Sequence, residues 1–290
     1  MNFKLKRERM KYKNQPIPND LRKMVDEQLG LKKRKSRMPL IASSIVAAAV
    51  LMFMVAINTN TAMAKTMADL PVIGHVFKAL TFNVTDENME ASITTPKVTK
   101  MESKKLESEL NKQYEADSKV LYKGFEKRMN EQSAKGHYSV HADYKVLQDN
   151  KDLLVIERSI LETEASGYQR YKYDVVDPKA KKLIKLPMLF KDQNYVSVIS
   201  KEIKKQMLQE MKATKNKKMY FVLGANLPDE KIGTHFKKIA PKQQFYINKK
   251  NQLVISFNEY EVAPGYMGAV KFTIPTKVIK KELVSNKYVK

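Results

Sequence analysis

Met38 to Ile57 reads MPLIASSIVAAAVLMFMVAI, twenty residues without a charge. As a helix rising about 1.5 Å per residue, such a run covers roughly the 30 Å of bilayer hydrocarbon. Lys32, Lys33, Arg34, Lys35 and Arg37 stand immediately before it. Residues 1–37 carry 13 Lys/Arg against 4 Asp/Glu, whereas the 233 residues after the run carry 41 against 27. The denser positive charge lies on the N-terminal side, so the positive-inside rule places the N-terminus in the cytoplasm. The expected topology is a single-pass cell-membrane protein with a short basic segment inside and a long C-terminal domain outside. A cleaved signal peptide would have a shorter charged lead and an apolar stretch of about 7–15 residues. The run therefore reads as a retained anchor. Ala62-Met63-Ala64 follows it, with small residues at the −3 and −1 positions that a signal peptidase reads. Nucleic-acid binding is the other reading of a basic N-terminus, but flanking an apolar run already explains the charge.

The 290-residue chain contains no Cys and no Trp. A disulfide scaffold, a cysteine nucleophile and a thiolate metal site are excluded. Within the inner segment, Asn19 is a good N-cap and Gly30 a C′ residue for a short helix. Leu21, Met24, Val25 and Leu29 form one apolar stripe on it. About eleven residues do not make a stable helix alone in water. The stripe meets either a membrane surface or a groove in a partner protein.

The expected fold class is α+β, with two helix-plus-antiparallel-sheet subdomains beyond the span. The boundaries are 1–37 for the cytoplasmic segment, 38–58 for the transmembrane helix and 59–100 for a juxtamembrane linker. Residues 101–190 and 191–290 make the two subdomains. Residues 103–133 read as an amphipathic helix with Leu106, Leu110, Tyr114, Leu121, Phe125 and Met129 near one face. Alternation at Tyr138, Val140, Ala142, Tyr144 and Val146 predicts a strand. Further strands follow around 153–162 and 171–176, giving an antiparallel meander. Asp192–Ala213 is a second helix with Tyr195, Ile199, Ile203, Met207 and Met211 in register. Strands at 244–247, 253–262 and 270–275 complete the pattern.

Few residues point to chemistry. The His are His75, His137, His141 and His235. His137 and His141 share a face of the predicted strand, but no third ligand or HExxH accompanies them. No metal site, no cofactor and no enzyme activity is expected, since nucleophile-elbow and phosphate-loop signatures are missing as well. Glu259 and Glu261 sit two apart on one face of a predicted strand, which reads as a solvated face or a binding patch rather than a glycosidase pair. Pro264-Gly265-Tyr266 makes a turn. Tyr266 either packs inward or is presented as a rigid interface anchor.

The string LVISFNEYEVAPGYMG from Leu253 to Gly268, followed by Phe272-Thr273-Ile274-Pro275, resembles the C-terminal domain of the anti-sigma-V factor RsiV family of Gram-positive bacteria. Ile17-Pro18, the Leu21–Leu29 helix, the span, Pro71-Val72-Ile73-Gly74, Leu80-Thr81-Phe82 and Leu189-Phe190-Lys191-Asp192 occur in the same order. The resemblance covers nearly the whole chain. It implies a membrane anti-sigma factor whose cytoplasmic segment holds an extracytoplasmic-function sigma factor of the sigma-V type, here through Leu21, Met24, Val25 and Leu29. It implies an outer domain that is a receptor for lysozyme. Regulated proteolysis then follows, first by signal peptidase after Ala64, with Ala62 and Ala64 in its pocket, then by an intramembrane site-2 protease. Sigma-factor release answers cell-envelope stress through transcription, without direct contact to nucleic acid. The implied lysozyme contacts come from two loops, Pro264-Gly265-Tyr266 with Glu259 and Glu261 nearby, and Ser166-Gly167-Tyr168. A net +14 beyond the span opposes steering of a cationic lysozyme. The competing reading is a membrane-anchored module that binds anionic teichoic acid or peptidoglycan and has no part in sigma regulation.

Overall fold

The computed structural model describes residues 76–85, 89–131, 137–223 and 235–290. The Leu21–Leu29 stripe, the Met38–Ile57 run, Ala62, Ala64, the Pro71–Gly74 patch and His75 lie outside the described residues. Among the described residues no helix is long and apolar enough to cross a membrane.

The described residues build two sheets and two long helices. β1 (Val76–Thr85), β2 (Met89–Val98), β3 (Tyr138–Asp149), β4 (Leu154–Thr163), β5 (Gly167–Asp177) and β6 (Lys182–Ile184) form one sheet in sequence order. β7 (Phe245–Ile247), β8 (Leu253–Phe257) and β9 (Val270–Ile274) form the second. Helix α1 spans Lys104–Glu131, α2 Asn194–Ala213, and a short α3 Thr276–Ile279. The antiparallel α+β architecture agrees with the reading of the sequence, with two differences.

The first concerns residues 76–98, expected as linker. They pair as an antiparallel hairpin, Phe82 opposite Ile93 and Val84 opposite Ala91. Met89, Ala91 and Ile93 are buried while Glu90 is exposed, so the strand period is present beneath a polar composition. The second is that β2 and β3 run parallel, Met89 beside Tyr138 and Ile93 beside Ala142. A parallel pair requires a long crossover, and α1 supplies it. Pro96 lies beyond the stretch that pairs with β3, where a missing N–H costs little.

α1 buries Leu106, Leu110, Tyr114, Ser118, Tyr122 and Phe125. Tyr122 stands where Leu121 was expected, and its ring meets Phe82 edge-on at 4.5 Å. Asn111 clamps α1 to the end of β2. Its side chain accepts from the Val98 N–H at 2.8 Å and donates to the Val98 carbonyl at 2.9 Å.

β4 is a continuous buried run, Leu154 to Arg158, because both faces of the sheet are covered there. Leu154 and Ile156 face α1 with Leu106, Leu110 and Tyr114. Leu153 and Val155 join a second core with Ile199, Ile203 and Met207 of α2 and Leu253 and Ile255 of β8. The two subdomains therefore share one core. All five residues expected on the inner face of α2 are buried.

Candidate functional site

The two loops singled out in the sequence meet along the outer edge of β5. β6 covers only Val175 to Asp177 of that edge. Farther out, every second backbone N–H of β5 faces away from β4 and needs an acceptor. Side chains supply it. Glu259 Oε2 accepts from Gln169 N–H at 2.8 Å, Asn258 Oδ1 from Tyr171 N–H at 2.8 Å, and Gln244 Oε1 from Tyr173 N–H at 3.0 Å. The Glu259 N–H returns a bond to the Gln169 carbonyl at 3.2 Å. One carboxylate and two carboxamides thus stand in for a neighbouring strand and hold the 258–260 segment against β5.

β8 ends at Phe257 rather than near Val262. The chain then turns, the Glu261 N–H bonding the Asn258 carbonyl at 3.2 Å, with Tyr260 at φ 65°. That left-handed residue breaks strand alternation, so Glu259 and Glu261 do not share a strand face as expected. The Glu259 carboxylate is committed to the Gln169 amide. Glu261 stays exposed, its Oε1 accepting from Asn258 Nδ2 at 3.0 Å.

Tyr260 was not anticipated, and it connects the loops. Its ring stacks on Tyr168 with centroids 6.3 Å apart. It also lies close to Gly265, where an added Cβ would stand 2.4 Å from the hydroxyl oxygen and 2.5 Å from Cζ. The Arg170 guanidinium lies 5.6 Å from the Tyr168 centroid and pairs with Glu162.

Pro264 leads into a single helical turn, Gly265–Met267, closed by the Gly268 N–H to the Gly265 carbonyl at 2.9 Å. Gly268 sits at φ 61°, a value that favours glycine. Tyr266 does not pack inward. It is 66% exposed, and its hydroxyl donates to the Lys217 carbonyl at 3.1 Å. On the second loop, Ser166 and Gly167 close the β4–β5 hairpin, the Glu164 N–H bonding the Ser166 carbonyl at 3.3 Å. Tyr168 is 37% and Tyr260 49% exposed. Tyr168, Tyr260 and Tyr266 present large amphipathic rings that carry few rotatable bonds, the composition of a protein-contact surface.

Two cavities of about 610 and 560 Å³ share Lys237 and Lys238, and the first reaches this region at Glu261 and Val262. The first is lined also by His235, Phe236 and Glu261, the second by Lys201 and Lys204 of α2. His137 precedes β3, and His141 Nε2 lies 4.0 Å from Glu90. Among the described residues no three His, Asp or Glu gather as a metal site would require.

Residues 188–277 match the family described as "Protein of unknown function (DUF3298)", a span that includes Glu259 to Tyr266 but not Ser166 to Tyr168. The anti-sigma-V factor RsiV of Bacillus subtilis (strain 168) is 41% identical over 293 residues, covering 100% of each chain. A crystal structure of a DUF3298 family member from Bacteroides fragilis matches with a TM-score of 0.55 at 18% identity, over 73% of this chain and 94% of that one. A Pseudomonas aeruginosa DUF3298 protein matches with a TM-score of 0.54 at 15% identity, over 76% and 98%. At such identities these two structures share the fold.

Proposed function

Since this chain belongs to the RsiV family of anti-sigma-V factors, we propose that it is a non-catalytic regulator that holds a sigma factor inactive and releases it when lysozyme binds outside the cell. Leu21, Met24, Val25 and Leu29 contact the sigma factor, and Met38–Ile57 crosses the membrane once. Signal peptidase cuts after Ala64, and a site-2 protease then cuts within the span. Lysozyme docks on the tyrosine face, touching Tyr266, Pro264 and Gly265 from one loop and Tyr168, Gly167 and Ser166 from the other. Glu261 supplies a carboxylate for a cationic ligand, while Glu259 acts from behind by fixing the 258–260 segment to β5.

The observation that carries this reading is the union of the two loops in one surface with three exposed tyrosines. Exposed rings of limited rotamer freedom make inexpensive contact area and are common binding hot spots. Lysozyme must prefer the cleavable state, because a ligand that binds both states equally shifts nothing.

Calorimetry of the full-length chain in detergent micelles with hen lysozyme tests it, at physiological ionic strength and at roughly three times that value. A packed aromatic interface should lose at most a few-fold in affinity at the higher salt, and Tyr266→Ala should weaken binding by about 30-fold or more. No binding at either salt would overturn the lysozyme reading. The wall-polymer alternative is favoured by one feature, the four lysines Lys201, Lys204, Lys237 and Lys238 around the two cavities. Its signature would be binding to teichoic acid that collapses as salt rises.

A further inference from the structure

Tyr260 is half-exposed yet held in a backbone conformation that side-chain-bearing residues rarely adopt. Such a conformation persists where the surroundings over-determine it. Here the ring stacks on Tyr168 and lies against Gly265. The preceding residues, Asn258 and Glu259, are tied to the β5 edge. Gly265 itself lies outside the left-handed region. Backbone conformation therefore does not require glycine there. A Cβ there would stand 2.4–2.6 Å from the Tyr260 ring and hydroxyl atoms, so any other residue must displace that ring.

We infer that Tyr260 is both a contact residue and the positioning residue of the ligand face, and that position 265 is glycine because the Tyr260 ring occupies the place of its Cβ. The ring joins the Ser166–Tyr168 and Pro264–Tyr266 loops into one surface before any ligand arrives. Ordering two loops in advance removes an entropic cost from binding, so the joined surface binds tighter than either loop would alone. Naming lysozyme as the ligand rests on the function proposed above. The contact between Tyr260 and Gly265 does not.

A double-mutant cycle on the full-length chain in detergent tests the inference with two readouts, thermal unfolding without ligand and affinity for lysozyme. Gly265→Ala should lower the unfolding midpoint and weaken lysozyme binding by about tenfold, because the ring must leave its seat. In a Tyr260→Ala background the same substitution should leave the midpoint unchanged and alter the affinity by no more than about twofold. Tyr260→Ala alone should cost about tenfold in affinity, and Tyr260→Phe, which keeps the ring, should restore it to within about twofold. Equal damage from Gly265→Ala with and without the tyrosine would overturn the steric account. Unchanged affinity in Tyr260→Ala, alongside a loss in Tyr266→Ala, would overturn its role in binding. If the wild-type chain does not bind lysozyme, the ligand assignment falls and the unfolding cycle still decides the contact.

Discussion

Asp177 shows how one residue ties the C-terminus to the sheet. Its carboxylate is fully buried and accepts from the Ala180 N–H at 2.7 Å, Lys287 Nζ at 2.5 Å and the Tyr288 hydroxyl at 2.6 Å. Burial alone would raise its pKa, but these three donors reverse the effect and hold it at about 2, against an ordinary value of 3.8. The folded value is the lower one. The stabilisation is therefore complete above about pH 4 and is lost as pH falls toward 2. A depression of this size corresponds to about 2 kcal/mol. Asp177→Asn should lower the unfolding free energy at pH 7 by about that amount, and the gap from wild type should close on acidification below pH 3. A gap independent of pH would show that the ionised form is not what matters. Residues of this kind are hard to read from sequence, since the side-chain partners of Asp177 stand 110 and 111 positions away. Tyr260 is harder still. Its role depends on a positive φ that tyrosine seldom adopts, and the LVISF run before it reads as a strand that continues through it.

At the scale of the element, periodicity carried most of what could be read. Both long helices and the β3–β5 meander follow from spacing, because each presents one regular apolar face to a core. The β1–β2 hairpin escaped because Thr, Ser, Asn and Pro dilute its alternation, and the parallel β2–β3 pair escaped because nothing local specifies direction. What fixes α1 across the sheet is partly polar. Arg158 of β4 is buried, with Nε 3.1 Å from Asp174, Nη1 2.6 Å from Asp117 of α1, and its guanidinium 4.7 Å from the Tyr114 ring centroid. Arg158→Met would strand the buried Asp174 without a cation. Removing one partner of a buried pair costs about 3–5 kcal/mol, so urea unfolding should shift by that amount. A loss below about 1 kcal/mol would mean that the pair's desolvation nearly cancels its attraction.

At the scale of the whole molecule, helix-then-strands occurs twice, as the sequence implied, but the two sets are not separate bodies. Leu153, Val155 and Val175 of the six-stranded sheet belong to the same core as α2 and the three-stranded sheet. Lys271 of β9 reaches back to Glu157 of β4 at 2.7 Å, with the Tyr171 ring 4.6 Å away. Unfolding should therefore be one transition. Ile255→Ala, deep in the shared core, should cost about 2–5 kcal/mol, and amide protection in β4 and β5 should fall together with that in α2 and β8. Protection lost only in the second set would show two independent units. The meeting of Ser166–Tyr168 with Pro264–Tyr266, nearly a hundred residues apart in sequence, depends on this shared core and was not legible from either loop.

The strand order of the large sheet has a consequence in time. Its six strands lie side by side in the order in which the chain presents them. A chain emerging N-terminus first always adds its next strand to an edge already made. Sequential growth of this kind shortens the period during which an unpaired edge is open to other chains. The last segments to arrive, carrying Gln244 and Asn258–Glu259, are also those that close the outer edge of β5. The ligand face is therefore completed only after the last strand of the sheet has been made, and a chain truncated before Gln244 would lack that face while keeping all six strands.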